Sequence, residues 1–156
     1  MPNITCTFFG HRKIDVTEEL ERSVREEIEN LIVNEKVGTF LFGSRSEFIC
    51  LCHDIVTDLR KKYPQIKRIY VRAEYPFIDD SYKDMLLENY EDTYFPEKII
   101  DAGSAVYVER NFKMIDESEF CIIYFNEKYL PKNRKSGTKA ALDYAVKKGK
   151  IIKMFS

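Results

Sequence analysis

Tryptophan is missing from this 156-residue chain, and histidine occurs only twice, cysteine four times and proline five times. The four cysteines (Cys6, Cys50, Cys52, Cys121) are unevenly spaced and lie mostly within apolar segments. Cys50, Cys52 and His53 bring three candidate metal ligands together, but helical spacing splays them and no second pair exists to complete a zinc site. No metal site is therefore expected. Reduced, buried thiols in a cytoplasmic protein are the reading the cysteines favour. Charge of one sign is also lacking: 25 basic residues face 26 acidic ones, for a net charge of −1. Non-specific binding to nucleic acid or to an anionic membrane needs a strong basic excess, so neither partner is expected. Apolar runs fall well short of the roughly 18 residues of a membrane-spanning helix, and no charged-then-apolar leader precedes the first strand.

What is present is the material of a core. The chain is 44% hydrophobic and 33% charged, with 10 Tyr and 11 Phe, which excludes disorder for most of its length. Its size suits one domain. Ile4 to Phe9 read as a buried strand closed by Gly10. Leu20, Val24, Ile28, Leu31 and Ile32 then recur at helical spacing after a start near Asp15 or Thr17. Thr39 to Phe42 form a second strand, closed by Gly43. Phe48, Cys52, Ile55, Val56 and Leu59 share one helical face, and Ile69 to Val71 form a third strand. Residues 74 to 104 are irregular apart from a short helix over Ser81 to Asn89. A helix over Val106 to Glu117, a fourth strand over Phe120 to Phe125 and a polar loop to Lys135 follow. The last helix runs from Ser136 to Lys148 and is stopped by Gly149, before a fifth strand over Lys150 to Phe155. The alternation predicts an α/β fold: Rossmann-like, three layers (α/β/α), with a mainly parallel five-stranded sheet.

Three strand-to-helix junctions carry similar chemistry: Gly10-His11-Arg12, Gly43-Ser44-Arg45 and Ser136-Gly137-Thr138. A parallel sheet opens all three at the carboxyl ends of its strands, where ligands of open α/β folds bind. Glycine lets a backbone approach closely, a helix N-terminus offers free N–H groups, and arginine grips phosphate or carboxylate in bidentate fashion. The same residues also serve as plain turn glycines and surface charge, but three such junctions on one edge favour an anionic ligand. His11 has two open readings, acid–base catalysis near neutrality or hydrogen bonding. Among the tyrosines, Tyr75 directly follows a strand at the same edge and is the candidate for stacking on a base. Ser44 has no histidine nearby in sequence to activate it.

The stretch from Arg110 to Ile122 (RNFKMIDESEFCI), followed by Lys135-Ser136-Gly137-Thr138, resembles the SLOG superfamily. These are Rossmann-like proteins related to the LOG ("lonely guy") nucleoside-monophosphate phosphoribohydrolases and to the DNA-uptake protein DprA. Arg110 and Met114 match the LOG Arg-Lys-x-x-Met helix, Ser118-Glu119 its Ser-Asp, and Gly137-Thr138 its phosphate-facing Gly-Thr pair. Phe8 to Arg12 and Gly43 to Arg45 look like the short stand-alone SLOG proteins of Gram-positive bacteria and their phages. Most of the chain is covered, although residues 74 to 104 match nothing specific. Departures are equally plain. The family's catalytic glutamate position is Ala141, its lysine is Asn111, and the two glycines before Gly-Thr are missing.

The resemblance and the junctions together imply a nucleotide or nucleotide-derived small molecule as partner, with Arg12, Arg45 and Arg110 supplying charge and no cofactor required. An enzyme acting on an N-glycosidic bond, phosphoribohydrolase or deoxyribosyltransferase-like, is the alternative. It needs a carboxylate beside the sugar, for which Glu47 and Glu74 are the candidates. A DprA-like single-strand DNA binder needs a basic groove, which the near-zero charge and the local clusters Arg60-Lys61-Lys62, Lys132 to Lys135 and Lys147-Lys148 do not supply. The sequence leaves homo-oligomerisation open.

Overall fold

The computed structural model describes residues 4–96, 105–131 and 136–156. The basic cluster at 132–135 therefore lies outside the described residues, as does the end of the irregular stretch, 97–104. The described residues form six strands: β1 (Ile4–Gly10), β2 (Val37–Phe42), β3 (Lys67–Val71), β4 (Asp92–Tyr94), β5 (Phe120–Tyr124) and β6 (Ile151–Phe155). Helices α1 (Glu18–Val33), α2 (Glu47–Leu59), α3 (Asp80–Leu87), α4 (Ala105–Asp116) and α5 (Gly137–Lys147) connect them. The strands pair in the order β4-β3-β2-β1-β5-β6, and every pairing is parallel. The α/β class and parallel sheet agree with the sequence pattern, with one strand more than the five expected.

Alternating side chains divide the core between the two faces of the sheet. Cys6 and Phe8 of β1, Phe40 and Phe42 of β2, and Ile122 and Tyr124 of β5 pack with Val24, Ile28 and Leu31 of α1 and Phe48, Cys52 and Ile55 of α2. Phe9, Leu41, Cys121 and Ile123 point the other way, onto Met114 and Ile115 of α4 and Ala141 and Ala145 of α5. Phe8 stacks on Phe42 with ring centres 4.9 Å apart, which fixes β1 against β2 on the first face. On the second face Phe112 stacks on Tyr144 at 4.0 Å and ties α4 to α5.

Helix starts follow from their caps. Thr17, Ser46, Asp79 and Ser136 each accept, through the side chain, a backbone N–H three residues on, satisfying a donor that the helix itself cannot. Gly149 adopts φ +69°, the left-handed conformation that ends α5.

The extra strand comes from the irregular stretch. β4 is three polar residues at the sheet edge, and side chains hold it there. The Arg68 guanidinium donates to both carboxylate oxygens of Glu91, at 3.0 and 2.7 Å. Thr93 Oγ1 donates to the Tyr70 carbonyl and accepts from Arg72. The Tyr94 hydroxyl donates to Glu117, just beyond α4.

Candidate functional site

Strand order reverses direction between β1 and β5, because the chain runs outward from β1 to β4 and then returns to the far side of β1. Such a switch point is where an open α/β sheet offers a crevice. An open cleft of about 1260 Å³ lies there. Its walls come from the β1–α1 loop, the β2–α2 loop, one side of α4, the segment after β5 and the first turn of α5.

The structure brings together most of the residues singled out in the sequence. Gly10, His11, Arg12, Ser44, Arg45, Arg110, Ser136, Gly137 and Thr138 all line the cleft, with Gly43 directly behind Arg110. Tyr75 and Glu74 do not line it. Tyr75 is half exposed, and its ring meets Tyr82 at 6.0 Å. Tyr107 and Tyr129 are the aromatic walls instead, and Lys13 and Asn111 join the lining. Helical spacing from Arg110 would have found Tyr107, three residues earlier on the same side. Tyr129 is legible only once β1 and β5 are known to be neighbours.

Arg110 is the unusual group. It is only 5% exposed, and its guanidinium donates to the Gly43 carbonyl and, at 3.2 Å, to the Asn111 side chain. Tyr107 lies under it at 5.7 Å. No described carboxylate forms an ion pair with it. Burial lowers its pKa to about 10, against the opposing pull of Tyr70 and Glu74, so it stays charged at neutral pH. A buried cation without a directly paired carboxylate is costly.

Two of the glycines are explained by packing. A Cβ at Gly43 would sit 2.6 Å from Met114 Sδ and 2.8 Å from Arg110 Nε. A Cβ at Gly10 would meet Phe48 Cβ at 2.5 Å. At both positions the close approach is of a helix side chain to the strand end. The Arg-x-x-x-Met pair of α4 is thereby keyed to Gly43. Ser118 and Glu119 act at the opposite edge of the sheet: Ser118 Oγ donates to the Met114 carbonyl, and Glu119 accepts the Thr5 N–H at 3.0 Å.

His11 is buried, and its Nε2 accepts the Asn126 N–H at 3.0 Å. It therefore bridges the ends of β1 and β5, wedged against Tyr124, Phe125 and Tyr129. Burial lowers its pKa from the ordinary imidazole value. Of its two open readings, the hydrogen-bonding one describes this geometry.

Glu47 does not line the cleft. Its carboxylate accepts the Ile14 N–H at 3.0 Å, while its own N–H donates to the Arg12 carbonyl at 2.8 Å. Tyr129 adds a hydroxyl that accepts the Asp15 N–H at 3.2 Å. The loop carrying Arg12 and Lys13 is thus held at three points. Cys50, Cys52 and His53 do not converge: Cys52 is buried, Cys50 is exposed, and the His53 ring bonds the Asn89 carbonyl at 3.0 Å.

The lining carries four full cations (Arg12, Lys13, Arg45 and Arg110) and, among the described residues, no Asp or Glu. The α5 N-terminus adds N–H groups that have no acceptor within the helix, on the positive end of its dipole. Ala141, in the second turn of α5, is 1% exposed and packed against the sheet. Compared with known proteins, the chain matches no family model and no curated sequence.

Proposed function

We propose that this cleft binds a nucleotide, or a nucleotide-derived small molecule, through its phosphate. One observation carries the reading: Arg110, buried and without a carboxylate partner among the described residues, faces a cleft whose described lining is otherwise basic or neutral. An anionic ligand supplies the direct ion-pair partner that no described carboxylate provides, and the α5 N-terminus adds backbone donors suited to phosphate oxygens. Tyr107 and Tyr129 offer faces for a planar base. The SLOG resemblance points to the same ligand class, and the protein would act as a binder or sensor.

Cleavage of an N-glycosidic bond has weaker support. That reaction develops positive charge on the sugar, which a positioned carboxylate stabilises. Here Glu47 is engaged with Ile14, Glu74 is outside the lining, and Ala141 offers a methyl group. A thermal-shift panel of nucleoside mono-, di- and triphosphates tests binding, since a ligand of the native state raises the melting temperature by mass action. Chromatography of the same mixtures tests for released base. A clear melting shift without base release is expected. No shift with any nucleotide would overturn the reading, and rapid base release that disappears in Glu47→Gln or Glu74→Gln would replace it with the glycosidase.

A further inference from the structure

We infer that the cleft holds two anionic groups at different depths, so that its ligand carries at least two linked phosphates, and that Glu47 is the positioning residue for the outer one. This rests on the nucleotide reading above and goes beyond it in naming the class as a pyrophosphate-bearing molecule.

Depth separates the cations. Arg110 forms the floor: it is 5% exposed and is fixed by the Gly43 carbonyl. Arg12, Lys13 and Arg45 form the rim and are exposed. A monophosphate dianion on the floor is matched by Arg110 together with the α5 N-terminus. It leaves three rim cations facing the same space with no described carboxylate in the lining.

Exposed cations alone are ordinary surface. These differ in that the backbone carrying them is held. Glu47 grips the loop on both sides of Lys13, accepting from the Ile14 N–H at 3.0 Å and donating its own N–H to the Arg12 carbonyl at 2.8 Å. The Tyr129 hydroxyl secures the next residue, Asp15. Arg45 stands immediately before Ser46, the cap that fixes the start of α2. Fixing the loop backbone before the ligand arrives removes the ordering cost that a flexible loop would incur on binding. It also accounts for a carboxylate lying so near a basic rim: Glu47 binds backbone N–H there, and forms no ion pair with the rim cations.

Calorimetric titration with inorganic phosphate, inorganic pyrophosphate, and adenosine mono- and diphosphate tests this without knowledge of the base. The second anion is expected to tighten binding about tenfold or more in each pair, the scale of one charge-assisted hydrogen bond. Glu47→Ala removes the side-chain anchor at the Ile14 N–H and leaves the other two, so that ratio should fall, with a melting temperature close to wild type. Glu47→Gln keeps an acceptor for the Ile14 N–H and should keep the ratio. Should Glu47→Ala unfold, Arg12→Ala with Lys13→Ala makes the same test from exposed positions. Equal affinity for one and two phosphates in the wild type would overturn this inference and leave the nucleotide reading standing. So would a wild-type ratio preserved in both Glu47→Ala and the Arg12→Ala, Lys13→Ala variant. Failure of every anion and nucleotide to bind would overturn the nucleotide reading itself.

Discussion

At the residue scale, Arg110 separates stability from function more sharply than any other side chain. Its charge is buried at 5% exposure with, among the described residues, one carbonyl, one amide and one ring as partners. Replacing a buried, poorly compensated charge by an apolar side chain of similar length is often neutral or stabilising, whereas a ligand that needs the charge loses its anchor. Arg110→Met should therefore melt at or above the wild-type temperature without ligand, yet bind nucleotide more weakly by about 1.5–3 kcal/mol. Calorimetry on the two proteins checks both halves. Unfolding of the unliganded variant would make Arg110 a structural residue. The two histidines give the pH response. Burial lowers the pKa of both His11 and His53, so the unfolded chain takes up protons that the folded one refuses. Stability from this source is fully present above the unfolded value of about 6.5 and is lost as pH falls from there through the lowered folded values. At His11 the geometry also calls for the neutral ring, because only an unprotonated Nε2 can accept the Asn126 N–H. Denaturant midpoints measured across this range should fall on the acid side, and less steeply in His11→Gln, which keeps an acceptor and does not titrate. Equal slopes in the two proteins would remove His11 from the account.

At the scale of elements, β1, β2, β5, α1, α2 and α4 were legible because each carries an apolar run or a hydrophobic period of its own. Val24, Ile28, Leu31 and Ile32 mark the buried stripe of α1, and Cys121 and Ile123 mark a strand that is buried on both faces. β4 was not legible. Asp92-Thr93-Tyr94 shows no alternation, and its place in the sheet depends on bonds to Arg68, Arg72 and Tyr70 that no local pattern displays. The site divides along the same line. Glycine–arginine junctions could be read directly, whereas Tyr129, and the role of Glu47 as a loop clamp, needed the adjacency of β1, α2 and β5. Tyr75 was misplaced because following a strand at the right edge does not decide which strands flank the crevice. β4 also offers a direct test. Glu91 accepts three hydrogen bonds from Arg68, whose side chain is 8% exposed. Glu91→Gln leaves that cation without its counter-charge and should cost about 2–3 kcal/mol, below the full-burial range because Glu91 keeps 23% exposure. Urea denaturation measures it. A loss within the scatter of ordinary surface substitutions would show that the pair does not secure the edge strand.

For the whole molecule, the balance of 25 basic against 26 acidic residues conceals an uneven distribution. Four cations gather at one crevice, while acidic residues crowd other surfaces, as with Glu18, Glu19 and Glu21 in the exposed first turn of α1. A near-neutral protein of this kind has little general attraction for polyanions but a strong local field at the switch point, where low-dielectric walls focus it. Ionic strength distinguishes that arrangement from one governed by net charge. Rim cations in contact with water are screened over a Debye length of about 10 Å at 0.1 M salt, whereas a buried floor cation is screened much less. Affinity for a nucleoside diphosphate should therefore fall as salt rises, and affinity for the matching monophosphate should fall less, because it draws less on the rim. Titrations at low and high sodium chloride, with sulfate avoided as a competing anion, provide the comparison. A chain of net charge −1 that bound by its overall field would show no loss with salt, or a slight gain, as repulsion was screened. Parallel losses for the two ligands would instead place both phosphates at one depth, and the separation between floor and rim would have to be abandoned.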